Sequence, residues 1–454
     1  MRIVIIGCGK VGVALAKTLS HEGHDLTMID RNRAVLEQNE ERLDMMVLEG
    51  NGTSVALQRQ AEVPSADLVI AVTGYDEVNL LCCMIARRLG CVHTIARLRE
   101  PEYIEAYNLL REDFGLSMAV NPERTAAREI YGLLRYPSLL KRLVFSKGRA
   151  EIVELPVRPG SRLDGVQLMD LYKDLRVRIL VCAVDRSGEV TIPGGSFVLK
   201  ANDRIFVTAP SEALLNLIRF TGLETIKVRS VMVLGGSRIG YYLTQTLNKN
   251  GIDVKIIDSD KAQCERLSEA LPAATIVHAD ATNMDELLSE GLEETDALIS
   301  LMNVDEQNIV VSMMANQMSV PKVITKINRT EYSEILDKAG IECVVTPKDL
   351  STNEILRYVR AQEGSSNDVL ALTRFVDDKV EALEFVVDRK TWYTGQPLMR
   401  LPMKKNILLA AITRNGNVVI PSGESSFQPG DSVIVVTAAD RPISRLNDIF
   451  SREP

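Results

Sequence analysis

A strand, a glycine-rich turn, a helix and a second strand ending in an acid occur twice in this chain, 228 residues apart. The first copy is residues 1–30, MRIVIIGCGKVGVALAKTLSHEGHDLTMID, and the second is residues 229–258, RSVMVLGGSRIGYYLTQTLNKNGIDVKIID. Arg2–Ile6 is a short apolar, β-branched run of the kind that forms a buried parallel strand. Gly7, Cys8, Gly9, Lys10, Val11 and Gly12 follow at once, and then an amphipathic segment from Val11 to about Glu22. A second strand is expected over 26–29, with Asp30 at its C-terminal end. Gly7 permits a tight turn, Gly9 lets the backbone approach a pyrophosphate, and Gly12 lets helix and strand pack closely. The helix N-terminus offers unpaired N–H groups and a positive dipole end to phosphate. Asp30 stands about 20 residues further on, where a carboxylate can accept from ribose hydroxyls. Glycine spacing alone is a weak signal; strand, loop, helix, strand and acid in order point to nucleotide binding.

The repeat continues along the chain. Gly235, Gly240 and Asp258 match Gly7, Gly12 and Asp30. An Asp-Glu-x-Asn run, Asp76 to Asn79 and Asp305 to Asn308, follows apolar runs at 68–72 and 297–301. It therefore stands at a strand's C-terminal end, where open α/β sheets place ligands. Ile95 to Arg99 meets Ile324 to Asn328. Six strands alternate with helices in each copy, the last two near 94–98 and 117–120, and near 323–327 and 343–346. Helices Pro122–Arg135 and 347–361, each opened by proline, close the two copies.

The segments between read differently. Residues 151–208 and 379–437 are rich in valine, isoleucine, proline and glycine, and they match each other at Ala183 to Gly188 against Ala411 to Gly416. They predict small domains of about 70–80 residues, near the lower range of independent folding. Residues 364–368, GSSND, read as a linker. The expected fold class is α/β: two Rossmann-like, doubly wound parallel-sheet domains, each followed by a small α+β domain. The expected boundaries are 1–140, 141–224, 225–363 and 364–454.

Length by itself suggests about three domains for a 454-residue chain, at roughly 150 residues each. Net charge is −8, which argues against a nucleic-acid role because phosphate backbones need a basic face. No apolar run approaches the ~20 residues needed to span a bilayer. The chain opens on a strand-forming run, so no signal peptide is expected. Seven cysteines form no CxxC pair, and most lie in apolar patterns, as buried thiols of a reducing cytoplasm do. The four histidines show no zinc spacing, and His21 and His24 read as a helix cap or solvent-facing pair. No metal site is expected.

Two six-stranded nucleotide units, each followed by a small β-rich unit, with GCGKVG and then ID at the start, resemble the peripheral cytoplasmic subunit of Trk-type bacterial potassium uptake systems. That is the TrkA type, built of tandem RCK domains, each an N-domain and a C-domain. The resemblance covers nearly the whole chain. It implies a cytoplasmic regulatory ring, peripheral at the inner face of the membrane, beneath a membrane-embedded potassium transporter. It also implies a homo-oligomer, a dimer of dimers, in which a bound nucleotide changes the ring's shape.

By the same resemblance, Gly7, Cys8, Gly9, Lys10, Val11 and Gly12 face phosphates, and Asp30 and Arg31 the ribose. Arg97 and Arg99 reach terminal phosphates, which fits guanidinium's bidentate grip on phosphate and the common direction of alternate strand residues. A solvated ion-pair network is the other reading of those arginines. Gly52 and Thr53, with Ala281 and Thr282, lie in the loop after the third strand, near adenine. Thr73 and Asn79 are placed at the cleft mouth by position. Asp76 is expected to cap its helix. The second copy offers Gly235, Ser237, Arg238, Ile239, Gly240, Asp258 and Lys326. There Ser237 puts a Cβ where backbone meets pyrophosphate, Lys326 replaces Arg97, and Asn328 replaces Arg99. Weaker binding and a bias against triphosphate are expected at the second site. At the first site Asp30 favours NAD(H) over NADP(H), whereas Arg97 with Arg99 favours ATP or ADP.

An NAD-dependent oxidoreductase is the rival reading. It needs a proton-transfer group beside the nicotinamide, and the small domains contain no histidine. A regulatory subunit of a different cation channel or antiporter is a third. In similar proteins a cyclic dinucleotide sits between two small domains; Arg186 and Arg414, on matching turns, are its candidates, with ordinary hairpin arginines as the other reading. Ile130, Leu133 and Leu134 on the closing helix are expected to form dimer contacts, or else to cover their own sheet.

Overall fold

Continuous apolar runs, buried on both faces, become the centre of a parallel sheet, and Arg2–Ile6 and Leu68–Ala71 do so here. Both are almost wholly buried. In a computed structural model of the chain they pair in parallel as β1 (Arg2–Ile6) and β4 (Leu68–Ala71). With β2 (Asp25–Asp30), β3 (Met46–Glu49), β5 (His93–Arg97) and β6 (Met118–Val120) they form one sheet of order β3-β2-β1-β4-β5-β6. The structure describes residues 1–40, 45–146, 149–175, 178–222, 227–329, 332, 336, 339–363, 369–376, 379–439 and 443–453. The expected linker at 364–368 lies outside them.

The second copy repeats the topology. After β7 (Lys141–Phe145), β8 (Ala150–Pro156), β9 (Leu180–Arg186), β10 (Glu189–Thr191) and β11 (Arg204–Thr208) come β12 (Ser230–Leu234), β13 (Asp253–Asp258), β14 (Thr275–His278), β15 (Ala297–Ser300), β16 (Lys322–Lys326) and β17 (Val344–Val345). Their order is β14-β13-β12-β15-β16-β17. The order reverses between β1 and β4, and between β12 and β15. At that switch point the loops leave the strand ends on opposite sides and open a crevice.

The small domains are five-stranded sheets with antiparallel pairing. The first has order β10-β9-β11-β8-β7. The second, of β18 (Ala371–Phe375), β19 (Val380–Val386), β20 (Ile407–Arg414), β21 (Asn417–Val419) and β22 (Ser432–Ala438), has order β18-β19-β22-β20-β21.

The copies group by kind. Residues 1–131 and 229–356 make one compact unit, and 132–228 with 357–454 make another. Within the second unit a single apolar cluster draws on both small domains, with Phe206 and Phe375 ring centroids 5.0 Å apart. Ser146, at the end of the first hairpin, donates to the buried Glu384 of the second copy at 2.9 Å. Ile130, Leu133 and Leu134 are buried within the single chain. They expose almost no surface for the expected dimer contact. Of the histidine pair, His21 is exposed but His24 is buried, with Nδ1 3.3 Å from the Met1 amine. All seven cysteines are buried free thiols. Among the described residues, no helix is long and apolar enough to cross a membrane.

Candidate nucleotide site

Each glycine loop is built as the sequence requires. Gly7 has φ +114° and Gly235 φ +99°, a backbone that side chains rarely adopt. A Cβ on Gly12 would stand 1.9 Å from the Gly7 carbonyl oxygen, so this glycine is fixed by helix–strand packing. A Cβ on Gly9 would meet nothing within 4 Å. Its lack of a side chain therefore leaves open space over the start of the Lys10–His21 helix, whose N-cap residue is Gly9 and which has no side-chain cap. In the second copy Ser237 caps the Arg238–Lys249 helix by accepting from the Gly240 N–H at 3.5 Å. One amide left uncapped in the first copy thus already has a partner in the second.

The acids at the strand ends are bonded to these loops. Asp30 Oδ2 accepts from Cys8 N–H at 2.6 Å, and Oδ1 accepts from Asn32 N–H at 2.9 Å. Asp258 treats Gly236 and Asp260 alike, at 2.6 and 2.8 Å. Burial, with the Asp30 charge, pushes the Cys8 thiol up to about 12, so it is no nucleophile at neutral pH. Arg31 is exposed beside the acid.

A Cβ on Gly52 would fall 2.3 Å from Ile6 Cγ2, which makes this glycine a packing requirement under the loop. The matching Ala281 sits near Leu234 in place of Ile6. A leucine branches one carbon further out and leaves room for the alanine methyl. Thr53 and Thr282 each turn their N–H onto the side chain two residues back, Asn51 at 3.2 Å and Asp280 at 2.9 Å.

Three expectations are corrected. Asn79 does not face the cleft mouth: it is fully buried, accepting from Thr73 N–H at 2.8 Å and Thr73 Oγ1 at 2.7 Å and donating to the Arg97 carbonyl at 2.9 Å. Thr73 is its partner, so the pair ties β4 to β5. Asn308 makes the same bracket with Met302 and the Lys326 carbonyl. Asp76 is no N-cap, since Tyr75 occupies that position. Its carboxylate accepts instead from the N–H groups of Arg99 at 2.6 Å and Glu100 at 2.8 Å. The Asp-Glu-x-Asn motif is thus a clamp on the chain leaving β5. Arg186 and Arg414 grip the buried Asp203 and Asp431 in bidentate fashion at 2.7–2.8 Å, so neither offers a free guanidinium to a cyclic dinucleotide.

Arg97 donates to the Thr73 carbonyl and Arg99 to the Gly74 carbonyl, and Arg99 Nε lies 3.6 Å from Asp76. Burial, then repulsion from Arg99, holds the Arg97 guanidinium below its ordinary value. Arg97 Nε is buried with no hydrogen-bond acceptor among the described residues, which fits an anionic group at this strand end, whereas Arg99 Nε faces the Asp76 carboxylate. Lys326 is buried on the Leu301 carbonyl at 3.1 Å, and burial draws its ammonium down to about 8.

The second crevice is a cleft of about 1110 Å³. Gly235, Ser237, Arg238, Asp258, Ala281 and Thr282 line it, whereas Ile239, Gly240 and Lys326 lie outside the lining. Sequence reasoning missed its far wall, formed by Glu100, Pro101 and Glu102 of the first large domain. Only the pairing of two distant segments places them there.

Residues 3–122 and 231–347 match the family model described as the TrkA-N domain, and residues 152–222 and 382–451 match the TrkA-C domain. A Methanosarcina mazei protein named Trk system potassium uptake protein TrkA homolog 2 is 30% identical over 98% of this chain and 100% of its own length. An Archaeoglobus fulgidus TrkA homolog is 31% identical over 99% and 100%. Among solved structures, the GsuK channel bound to NAD superposes with TM-score 0.63 at 20% identity, covering 97% of this chain and 77% of that one. The GsuK RCK domain does so with TM-score 0.63, covering 97% and 92%.

Proposed function

The chain belongs to the TrkA family of Trk-system potassium uptake proteins, and from that membership we propose that it is a nucleotide-sensing regulatory subunit of a potassium transport system. The observation that carries the reading is the duplicated crevice, in which a glycine loop, a helix N-terminus (uncapped in the first copy) and a loop-bonded acid meet at a sheet's switch point. In this account Gly7, Gly9 and Gly12 face phosphates, Asp30 takes the ribose, and Arg97 and Arg99 exchange a loop carbonyl for a terminal phosphate. The ligands are NAD(H) and ATP or ADP, and no bond is made or broken on them. The protein works in the cytoplasm, bound to its membrane-embedded partner as a homo-oligomeric ring.

Linkage explains why a ring is useful. A ligand shifts a conformational equilibrium only by its differential affinity for the two states. Coupling is typically about 1–3 kcal/mol per site, whereas moving a gate from 1:99 to 99:1 takes about 5.5 kcal/mol. Several clefts in one ring can supply that. A thermal-shift panel of NAD, NADH, ATP and ADP on the full chain tests the binding. A ligand at about 100 times its dissociation constant should add about 2.7 kcal/mol, and Asp30→Ala should lose the first-cleft share. Nucleotide-dependent potassium flux with the reconstituted membrane partner tests the role. Steady hydride turnover would refute it.

A further inference from the structure

We propose that Glu100, a side chain of the first large domain, is the charge gate of the second cleft and sets that cleft's choice among adenine nucleotides. The proposal rests on reading the second cleft as a nucleotide site.

Arg238 opens the helix after the second glycine loop and lines the cleft, the position from which a cation meets phosphate. Its guanidinium is engaged elsewhere. Nε donates to Glu100 Oε1 at 2.6 Å, and Nη2 donates to the same oxygen. Glu100 is firmly placed for this. Its own N–H donates to the buried Asp76, and the Tyr242 hydroxyl donates to the preceding Arg99 carbonyl at 2.7 Å. The pair is 44% and 40% exposed, so an incoming anion can compete for Arg238. Until it does, the cleft presents carboxylates: Glu100 and Glu102 on one wall, Asp258, Asp260 and Asp280 on the other.

The first copy has the opposite charge at the corresponding place. Position 329 matches 100 and carries arginine, while Lys10 matches Arg238. Lys10 also bears on Lys326 as a like charge, the counterpart of Arg238 bearing on Arg97. The two copies thus differ in the sign of the charge at this matched position, where Arg329 pairs with Glu306 of its own domain. A triphosphate entering the second cleft meets Glu100 with its most charged end, whereas a diphosphate or a dinucleotide with an uncharged or cationic far end does not.

Hydrogen–deuterium exchange on the full chain reads the clefts separately, through peptides spanning 6–14 and 234–242, during titration with ATP and with ADP. At the second cleft Glu100→Gln should tighten ATP about fivefold, the scale of one half-exposed charge pair. ADP should tighten distinctly less, so the ATP-to-ADP ratio rises. Glu100→Asp, which keeps the charge, should hold the wild-type ratio, and adding Arg238→Gln to Glu100→Gln should remove most of the gain. An equal shift of both nucleotides, or weakening of both, overturns the gate and leaves the site standing. If neither nucleotide protects 234–242 in wild type or Glu100→Gln, the site itself falls, and the gate with it.

Discussion

Asn79 receives the Thr73 backbone N–H at 2.8 Å while fully shielded from solvent. Its other end holds the Arg97 carbonyl at 2.9 Å. Asn79→Ala would strand a buried donor and a buried acceptor, each costing about 1–3 kcal/mol when left unmade. A loss of about 3 kcal/mol in urea unfolding is the expected result. A loss below about 0.5 kcal/mol, the range of ordinary surface changes, would show that the bracket is not structural.

The first glycine loop offers a paired comparison. Gly12→Ala puts a methyl 1.9 Å from the Gly7 carbonyl oxygen and should unfold the loop, with loss of both melting temperature and NAD-induced shift. Gly9→Ala meets open space. It should leave the unliganded melting point unchanged and weaken only nucleotide binding, because the methyl occupies room the pyrophosphate needs. Equal affinity for NAD in wild type and Gly9→Ala would count against a phosphate at this loop.

Lys326 gives a pH dependence of known sign. Burial lowers its folded value from 10.5 to about 8. Between those values the unfolded chain binds more protons than the folded one, so this residue's contribution to stability rises with pH across the window and is flat outside it. Compared with Lys326→Met, the wild type should gain stability between pH 8 and 10.5. Urea midpoints of both proteins at the two ends of the window measure it, and a constant difference would mean the ammonium is not desolvated.

Asp30 and Asp258 make the same bonds in different copies, so removing each should act on its own cleft. Asp30→Ala frees the Cys8 N–H and should cost about 1.5–3 kcal/mol, the range for hydrogen bonds to charged groups. Exchange protection by NAD should vanish over 6–14 and persist over 234–242, and Asp258→Ala should do the reverse. Loss at both clefts from either change would contradict separate sites.

Much of the fold was legible because local rules decide it. β1 runs over the residues expected from its apolar stretch, and the closing helix Pro122–Arg135 begins at its proline as read. The loop's backbone was legible where one segment contains its own answer, as in the turn at Gly7 and the close packing at Gly12. Side-chain partners were not legible where the answer lies far along the chain. Asp76 looks like a cap until Arg99 and Glu100 are seen returning to it. Arg186 looks free until Asp203 is seen beneath it. An apolar stripe such as Ile130 and Leu133 says that something must cover it, but not that the same chain does. The Glu100–Arg238 pair spans 138 residues, beyond any periodicity or motif.

The tilted contact between the Phe206 and Phe375 rings has a consequence for how the chain tolerates damage. Each comes from a different copy, and their shared cluster belongs to both small domains. A covalent tether keeps such a pair at high effective concentration however dilute the protein becomes. Proteolytic nicking between the copies removes that advantage, so the two fragments should elute together at high concentration and part on dilution, while either copy expressed alone would bare an aromatic patch and aggregate.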